Sequence, residues 1–324
     1  MMFTTTRTFE NNIENPQPKQ ARLKKKSKKD GSLIFIVTLL AIPVLHWLVF
    51  WLYVNIQTIF LAFMDARTGE FTFKNFSALW ESLISPYGNS IGVSVKNTFI
   101  YFGQSLLISM PLCMIIAFFL YKRILGYRFF RVVFYLPVII SGVVMTTVYT
   151  QMIDPAGPLG MVMEMIGVEM PREGYLARAE SATTMIVIYC IWTSFTSNVL
   201  LFGGGMARIP LEVLEAAKID GCGPFREITN IVFPLIWPTV STQIIFLFTG
   251  MFNSSGPILL FTNGQYETST LNYWIFKQVY GDGTIGGTGQ YNLVSCAGVC
   301  FTMVGIVIIT IVRKIFDKVD AIEY

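Results

Sequence analysis

EAAKIDGCGPFREITNIVFP, residues 215–234, lies between two long apolar runs and decides how the chain is read. A helix opens at Pro210, where a missing N–H costs nothing, and closes at Gly221, which tolerates the left-handed conformation that ends helices. A second short helix starts at Pro224. The product is a helix–turn–helix elbow carrying Glu215, Ala216 and Ala217, small enough on one side for another protein to grip closely.

The sequence around this elbow is that of a membrane protein. Of 324 residues, 53% are hydrophobic and only 14% charged, against about 25% charged in a soluble domain. Crossing the hydrocarbon layer takes about 20 helical residues. Runs of that order lie near 33–54, 97–121, 132–152, 183–206, 235–252 and 293–312, and none contains Asp, Glu, Lys or Arg. Lys and Arg concentrate in cytoplasmic segments. With both termini inside, 18 of the 24 fall in inner segments and 6 in outer ones, while the 20 acidic residues divide evenly. The expected topology is therefore six membrane spans, both termini cytoplasmic, with the elbow inside.

Residues 1–32 form a polar cytoplasmic tail expected to be disordered. Its cluster Arg22, Lys24, Lys25, Lys26, Lys28 and Lys29 immediately precedes the first span, which points to topogenic and anionic-lipid contact and not to nucleic acid. The first apolar run exceeds the 7–15 residues of a signal-peptide core, so it is expected to be retained. Between 55 and 96, FTFKNFSALWESL reads as an amphipathic helix lying along the membrane. The five cysteines imply no disulfide framework. Cys296 and Cys300 share a helix face, yet His46, the only histidine, lies in another span, so packing is expected and no metal site.

Glu-Ala-Ala, three residues, Gly221, nine residues, then Ile231-x-x-Pro234 resembles the EAA loop of ABC-importer permeases, the cytoplasmic elbow that docks on the ATPase subunit. Phe233 stands where the family usually has Leu. FRVVFYLPVIISGVVMTTVY, residues 130–149, resembles the third-span signature of the carbohydrate branch of these permeases. Within it, Pro137 frees a backbone carbonyl, which reads equally as a simple bend or as a gating hinge.

The resemblance implies an all-α fold, a polytopic type I ABC importer permease core over residues 33–317 followed by a short tail at 318–324. It assigns ATPase coupling to Glu215, Ala216, Ala217, Asp220, Gly221 and Pro234. It also implies a second homologous permease, a cytoplasmic ATPase dimer, an extracellular or periplasmic sugar-binding protein and a sugar substrate, in contact with membrane lipids and no nucleic acid. No G-x-x-x-x-G-K-[ST] loop occurs, and the glycine-rich GDGTIGGTG at 281–289 lies in an outer loop without the following Lys. ATP must then be hydrolysed by a separate polypeptide, and this chain is expected to be no enzyme, with no catalytic residues and no cofactor.

Sugars need hydroxyl, amide and aromatic partners without net charge. IWTSFTSNVLL offers Trp192, Ser194, Thr196, Ser197 and Asn198, and FTGMFNSSGPILLFTNG offers Asn253, Ser254 and Ser255 beside Gly250. The second segment resembles the larger maltose-importer permease, which places sugar-facing positions on Leu247, Gly250, Met251 and Ser254, and in the earlier span on Ser194 and Ser197, with Trp192 beside them. The alternative class is an ion-coupled secondary transporter or channel. Such proteins usually carry an ionisable group within the membrane, and these spans carry only His46.

Overall fold

The computed structural model describes residues 29–85, 91–167, 171–254, 256–281, 290–316 and 318. The basic cluster through Lys28, Ser255, and residues 282–289 of the glycine-rich stretch lie outside them. The chain divides into two units, residues 1–56 and 57–324.

In the first unit the dominant feature is α1 (Phe35–Ala62), which continues into the second unit. It passes Pro43 without ending and widens into a π-helical segment at Trp47–Tyr53. There Trp47 stacks on Trp51 at 5.3 Å, and the Asn55 amide donates to the Trp51 carbonyl at 2.7 Å.

The second unit is a helical bundle. Its elements are α2 (Lys74–Ile84), α3 (Ile91–Tyr121), α4 (Tyr127–Ile139), α5 (Gly142–Ile153), α6 (Pro158–Met165), α7 (Ala179–Met206), α8 (Leu211–Ile219), α9 (Pro224–Leu235), α10 (Trp237–Asn253), α11 (Leu271–Tyr280) and α12 (Tyr291–Phe316). Among the described residues no strand forms, only an isolated bridge between Met64 and Phe71. Four helices, α1, α3, α7 and α12, are long and apolar enough to cross a membrane. Two bent pairs, α4 with α5–α6 and α9 with α10, raise that number to six.

α3 and α7 form the spine. Met110, Cys113, Ala117 and Phe118 of α3 pack with Val199, Phe202 and Met206 of α7, and this core runs on into Leu214 of α8 and Ile228 and Val232 of α9. The elbow is thereby part of the bundle core. At the opposite end, Leu79 of α2 packs with Ile91, Leu271, Trp274, Cys296 and Ala297. The apolar face of α2, with Phe76 and Leu83 beside Leu79, is thus spent on the bundle, and Trp80 and Ile84 are the large apolar residues it leaves exposed. Asn75 and Asn292 reach the carbonyls that end α1: Asn75 donates to Ala62 and Met64, both at 2.9 Å, and Asn292 to Leu61 and Met64. Carbonyls at a helix end lack the full set of intrahelical partners.

The run 132–152 is not one continuous helix. α4 turns by 112° into the next helical pair, and the break is at Ile140 and Ser141, both extended, one turn beyond Pro137. Proline removes the N–H that would bond the Val133 carbonyl, which weakens the last turn of α4. The neighbouring helix compensates one residue along, where Thr196 of α7 donates to the Phe134 carbonyl at 2.8 Å.

Candidate functional site

The elbow's first helix starts one residue later than its sequence suggests. Pro210 has φ −57° and ψ 136°, so it flanks the helix as its N-cap, and Leu211 is the first helical residue. At the other end Gly221 has φ +73°. Its N–H donates to the Lys218 carbonyl at 3.1 Å, and that of Cys222 to the Ala217 carbonyl at 3.0 Å. These two bonds form a Schellman cap, which a left-handed residue at Gly221 makes feasible. Chain direction out of α8 is therefore fixed by backbone geometry.

The helix has two faces. Leu214 and Ala217 are buried against the bundle, whereas Glu215, Ala216, Asp220 and Gly221 are exposed. Of the two alanines of the motif, only Ala216 is thus open to a partner. α9 follows from Pro224, with Glu227 and Ile228 buried, and Pro234 lies half-buried just before the 76° turn at Ile236 into α10.

An ion pair fastens this elbow to the bundle. Lys122, at the end of α3, places Nζ 2.5 Å from Oε1 of Glu227, whose side chain is 3% exposed, and the same ammonium lies 5.5 Å from the Phe118 ring centroid. A carboxylate so buried is tolerable only with a close cation. Lys122 and Glu227 lie far apart in the chain, and sequence reading missed their pairing. The one available signal was an acidic residue on the apolar face of α9, beside Ile228 and Val232.

The second candidate region lies midway along the spine. α3 contains a π-helical turn at Ser105–Ser109, a feature frequent at functional sites. Across it the Gln104 amide donates to Ser109 Oγ at 2.5 Å, and Ser194 donates to the same oxygen at 2.9 Å or to the Ile191 carbonyl at 2.7 Å. Ser194 is therefore engaged between α7 and α3. Trp192 packs edge-on against Tyr189, and Ser197 is exposed.

The α10 positions behave differently. Leu247, Gly250, Met251 and Ser254 converge on one cavity of about 120 Å³, facing Tyr101, Phe102 and Ser105 of α3. Tyr101 is 6% exposed, and its hydroxyl has no hydrogen-bond partner among the described residues. Buried hydroxyls nearly always have one, which makes this group an exception in the cavity wall. Sequence reading passed over Tyr101 and Ser105, although Gln104, Ser105 and Ser109 lie close together in α3 and could have marked them. The cavity is smaller than the roughly 300–1,000 Å³ of ligand pockets. At that size it is an open cleft and not a closed ligand pocket.

Known proteins resemble the chain in sequence and in fold. The profile of the family described as binding-protein-dependent transport system inner membrane component matches residues 109–319. The multiple sugar-binding transport system permease protein MsmF of Streptococcus mutans is 24% identical over 276 residues, 83% of this chain and 91% of that protein. The sn-glycerol-3-phosphate transport system permease protein UgpA of Agrobacterium fabrum is 28% identical over 224 residues, 68% of this chain and 73% of its own length. A solved bacterial ABC transporter that imports the acidic polysaccharide alginate contains a chain with the same fold. It superposes with a TM-score of 0.75 at 20% identity, covering 90% of this chain and 98% of that one.

Proposed function

The chain belongs to the family of binding-protein-dependent transport system inner membrane components, and from that premise we propose that it is the translocation subunit of an importer carrying a neutral sugar or oligosaccharide. It is a multi-pass membrane transport subunit and no enzyme. The observation that carries the reading is the elbow. A helix held in one orientation by a Schellman cap at Gly221, rooted in the core through Leu214 and Ala217, presents Glu215, Ala216 and Asp220 outward. Such a rigid small-residue surface suits docking on a separate ATPase, and the Lys122–Glu227 pair provides the stiff connection to α3.

In this reading the elbow end and both termini are cytoplasmic. Residues 33–317 form the permease domain, and the partners are a second homologous permease, an ATPase dimer and an external sugar-binding protein. The wall formed by Leu247, Gly250, Met251 and Ser254 with Tyr101 and Ser105 is the part of the sugar pathway that this chain supplies, and the second permease closes it. Its lining has hydroxyls and aromatic edges but no charge, which favours a neutral sugar face. Trp192, Ser194 and Ser197 lie on α7 and do not line this cavity.

The test is reconstitution. In proteoliposomes containing this chain, its partner permease and the ATPase, sugar uptake requires ATP and the binding protein. Uptake by this chain alone under a sodium or proton gradient would instead identify a secondary transporter.

A further inference from the structure

A cavity of about 800 Å³ lies beside the elbow, between α3, α4, α7 and α8. Its floor is apolar, formed by Ala117 and Leu120 of α3 and Val199 and Gly203 of α7, residues within the membrane-crossing helices. Its rim is basic. Lys122, Arg123, Arg131 and Lys218 line it together with Tyr121 and Tyr135, and Glu215 is the one carboxylate in the lining. Lys122 is occupied by Glu227. Among the described residues Arg123, Arg131 and Lys218 have no carboxylate partner, although Arg131 lies 5.8 Å from the Tyr127 ring centroid.

Arg123 sits there at a conformational cost. It caps α3 with φ +53°, its N–H donating to the Leu120 carbonyl at 3.2 Å and that of Ile124 to the Phe119 carbonyl. This is the same cap that Gly221 makes on α8, and glycine is the residue that fits it without strain. A non-glycine residue in the left-handed region carries strain that glycine would not, and here that residue is an arginine on the cavity rim.

We propose that this cavity binds the phosphate headgroup of an anionic phospholipid from the leaflet at the elbow end. The guanidinium groups of Arg123 and Arg131 and the ammonium of Lys218 hold the phosphate oxygens at the rim, and the upper acyl chain lies on the apolar floor between α3 and α7. Tyrosines at the junction of apolar floor and charged rim match the headgroup level, where amphipathic rings concentrate. An anionic lipid matches both parts at once, charge at the rim and an acyl chain against a floor of membrane-crossing helix.

The experiment is native mass spectrometry of the full chain, purified with its partner subunits, titrated with phosphatidylglycerol or with phosphatidylcholine of the same acyl composition. The expected result is several-fold preferential retention of phosphatidylglycerol. Each basic residue near an anionic lipid surface contributes about fivefold in affinity, so Arg131→Gln and Arg123→Gly each lower retention by about that factor. Arg123→Gly also leaves thermal stability unchanged or raised, because glycine relieves the left-handed strain, and this separates lost binding from lost folding. Equal retention of the two lipids overturns the proposal, as does unchanged retention in both variants. Displacement of the lipid by millimolar inorganic phosphate assigns the rim to a soluble anion and also overturns it. So does loss of the ATPase from both variants with phosphatidylglycerol retained, which assigns the rim to a protein partner.

Discussion

Lys122→Met isolates the contact that joins the elbow to the bundle. The substitution keeps an unbranched side chain near the Phe118 ring and removes the ammonium that stands 2.5 Å from a Glu227 carboxylate only 3% exposed. Removing one partner of a buried pair costs about 3–5 kcal/mol, because the remaining charge is left uncompensated. At about 1.4 kcal/mol per factor of ten, local opening of the elbow then becomes roughly two to three and a half orders of magnitude more frequent. Hydrogen exchange over residues 211–235 should accelerate accordingly, with a fall in the unfolding temperature of the purified chain. The double variant Lys122→Met with Glu227→Met replaces both charges by apolar groups beside Ile228 and Val232 and should restore most of the protection, since such replacements are often neutral or stabilising. Unchanged exchange in Lys122→Met would refute the claim that this pair fastens the elbow.

Two further outcomes follow from the geometry. Tyr101→Phe removes a buried hydroxyl that lacks a protein partner, so stability should hold or rise; if that hydroxyl bonds sugar, the KM for uptake should rise roughly five- to tenfold, the worth of about 1–1.5 kcal/mol, with little change for Ser197→Ala. In the loop after α1, hydrogen bonding from the Arg67 amide, assisted by that of Thr68 and by Lys74, holds the Asp65 carboxyl below its ordinary value. A depressed folded pKa stabilises the loop above the unfolded value and loses that effect as pH falls through the folded one. Exchange protection of the Arg67 amide should therefore drop on acidification, and Asp65→Ala should abolish that pH dependence while lowering protection at neutral pH.

The elbow was legible because its signals are local. Proline beside the helix start, glycine at the left-handed position and a second proline at the next start each act through their own backbone. Membrane-crossing helices were legible because a bilayer demands an uninterrupted apolar length. Pro137 marked where the third run is weak, yet the 112° turn three residues later depends on how α4 packs on α7. Hydroxyls were the least readable groups. Ser194 and Ser254 look alike in sequence, but one is turned into the α3–α7 contact and the other lines a cavity, a distinction made only by tertiary packing. Charged pairs between distant segments, such as Lys122 with Glu227, leave no spacing to read.

Whether the elbow is the coupling element is tested most directly by Glu215→Ala and Gly221→Pro, assayed by co-purification of the ATPase and by binding-protein-stimulated ATP hydrolysis. Glu215 is an exposed carboxylate, and loss of a charge that becomes desolvated at an interface costs about 2–5 kcal/mol. Proline cannot take φ +73°, so Gly221→Pro turns α8 away from its docking orientation. The account predicts normal membrane insertion in both variants, with weakened ATPase co-purification and lost stimulation. Full docking and normal stimulated hydrolysis in both would contradict it and leave the elbow a plain connector between α7 and α10.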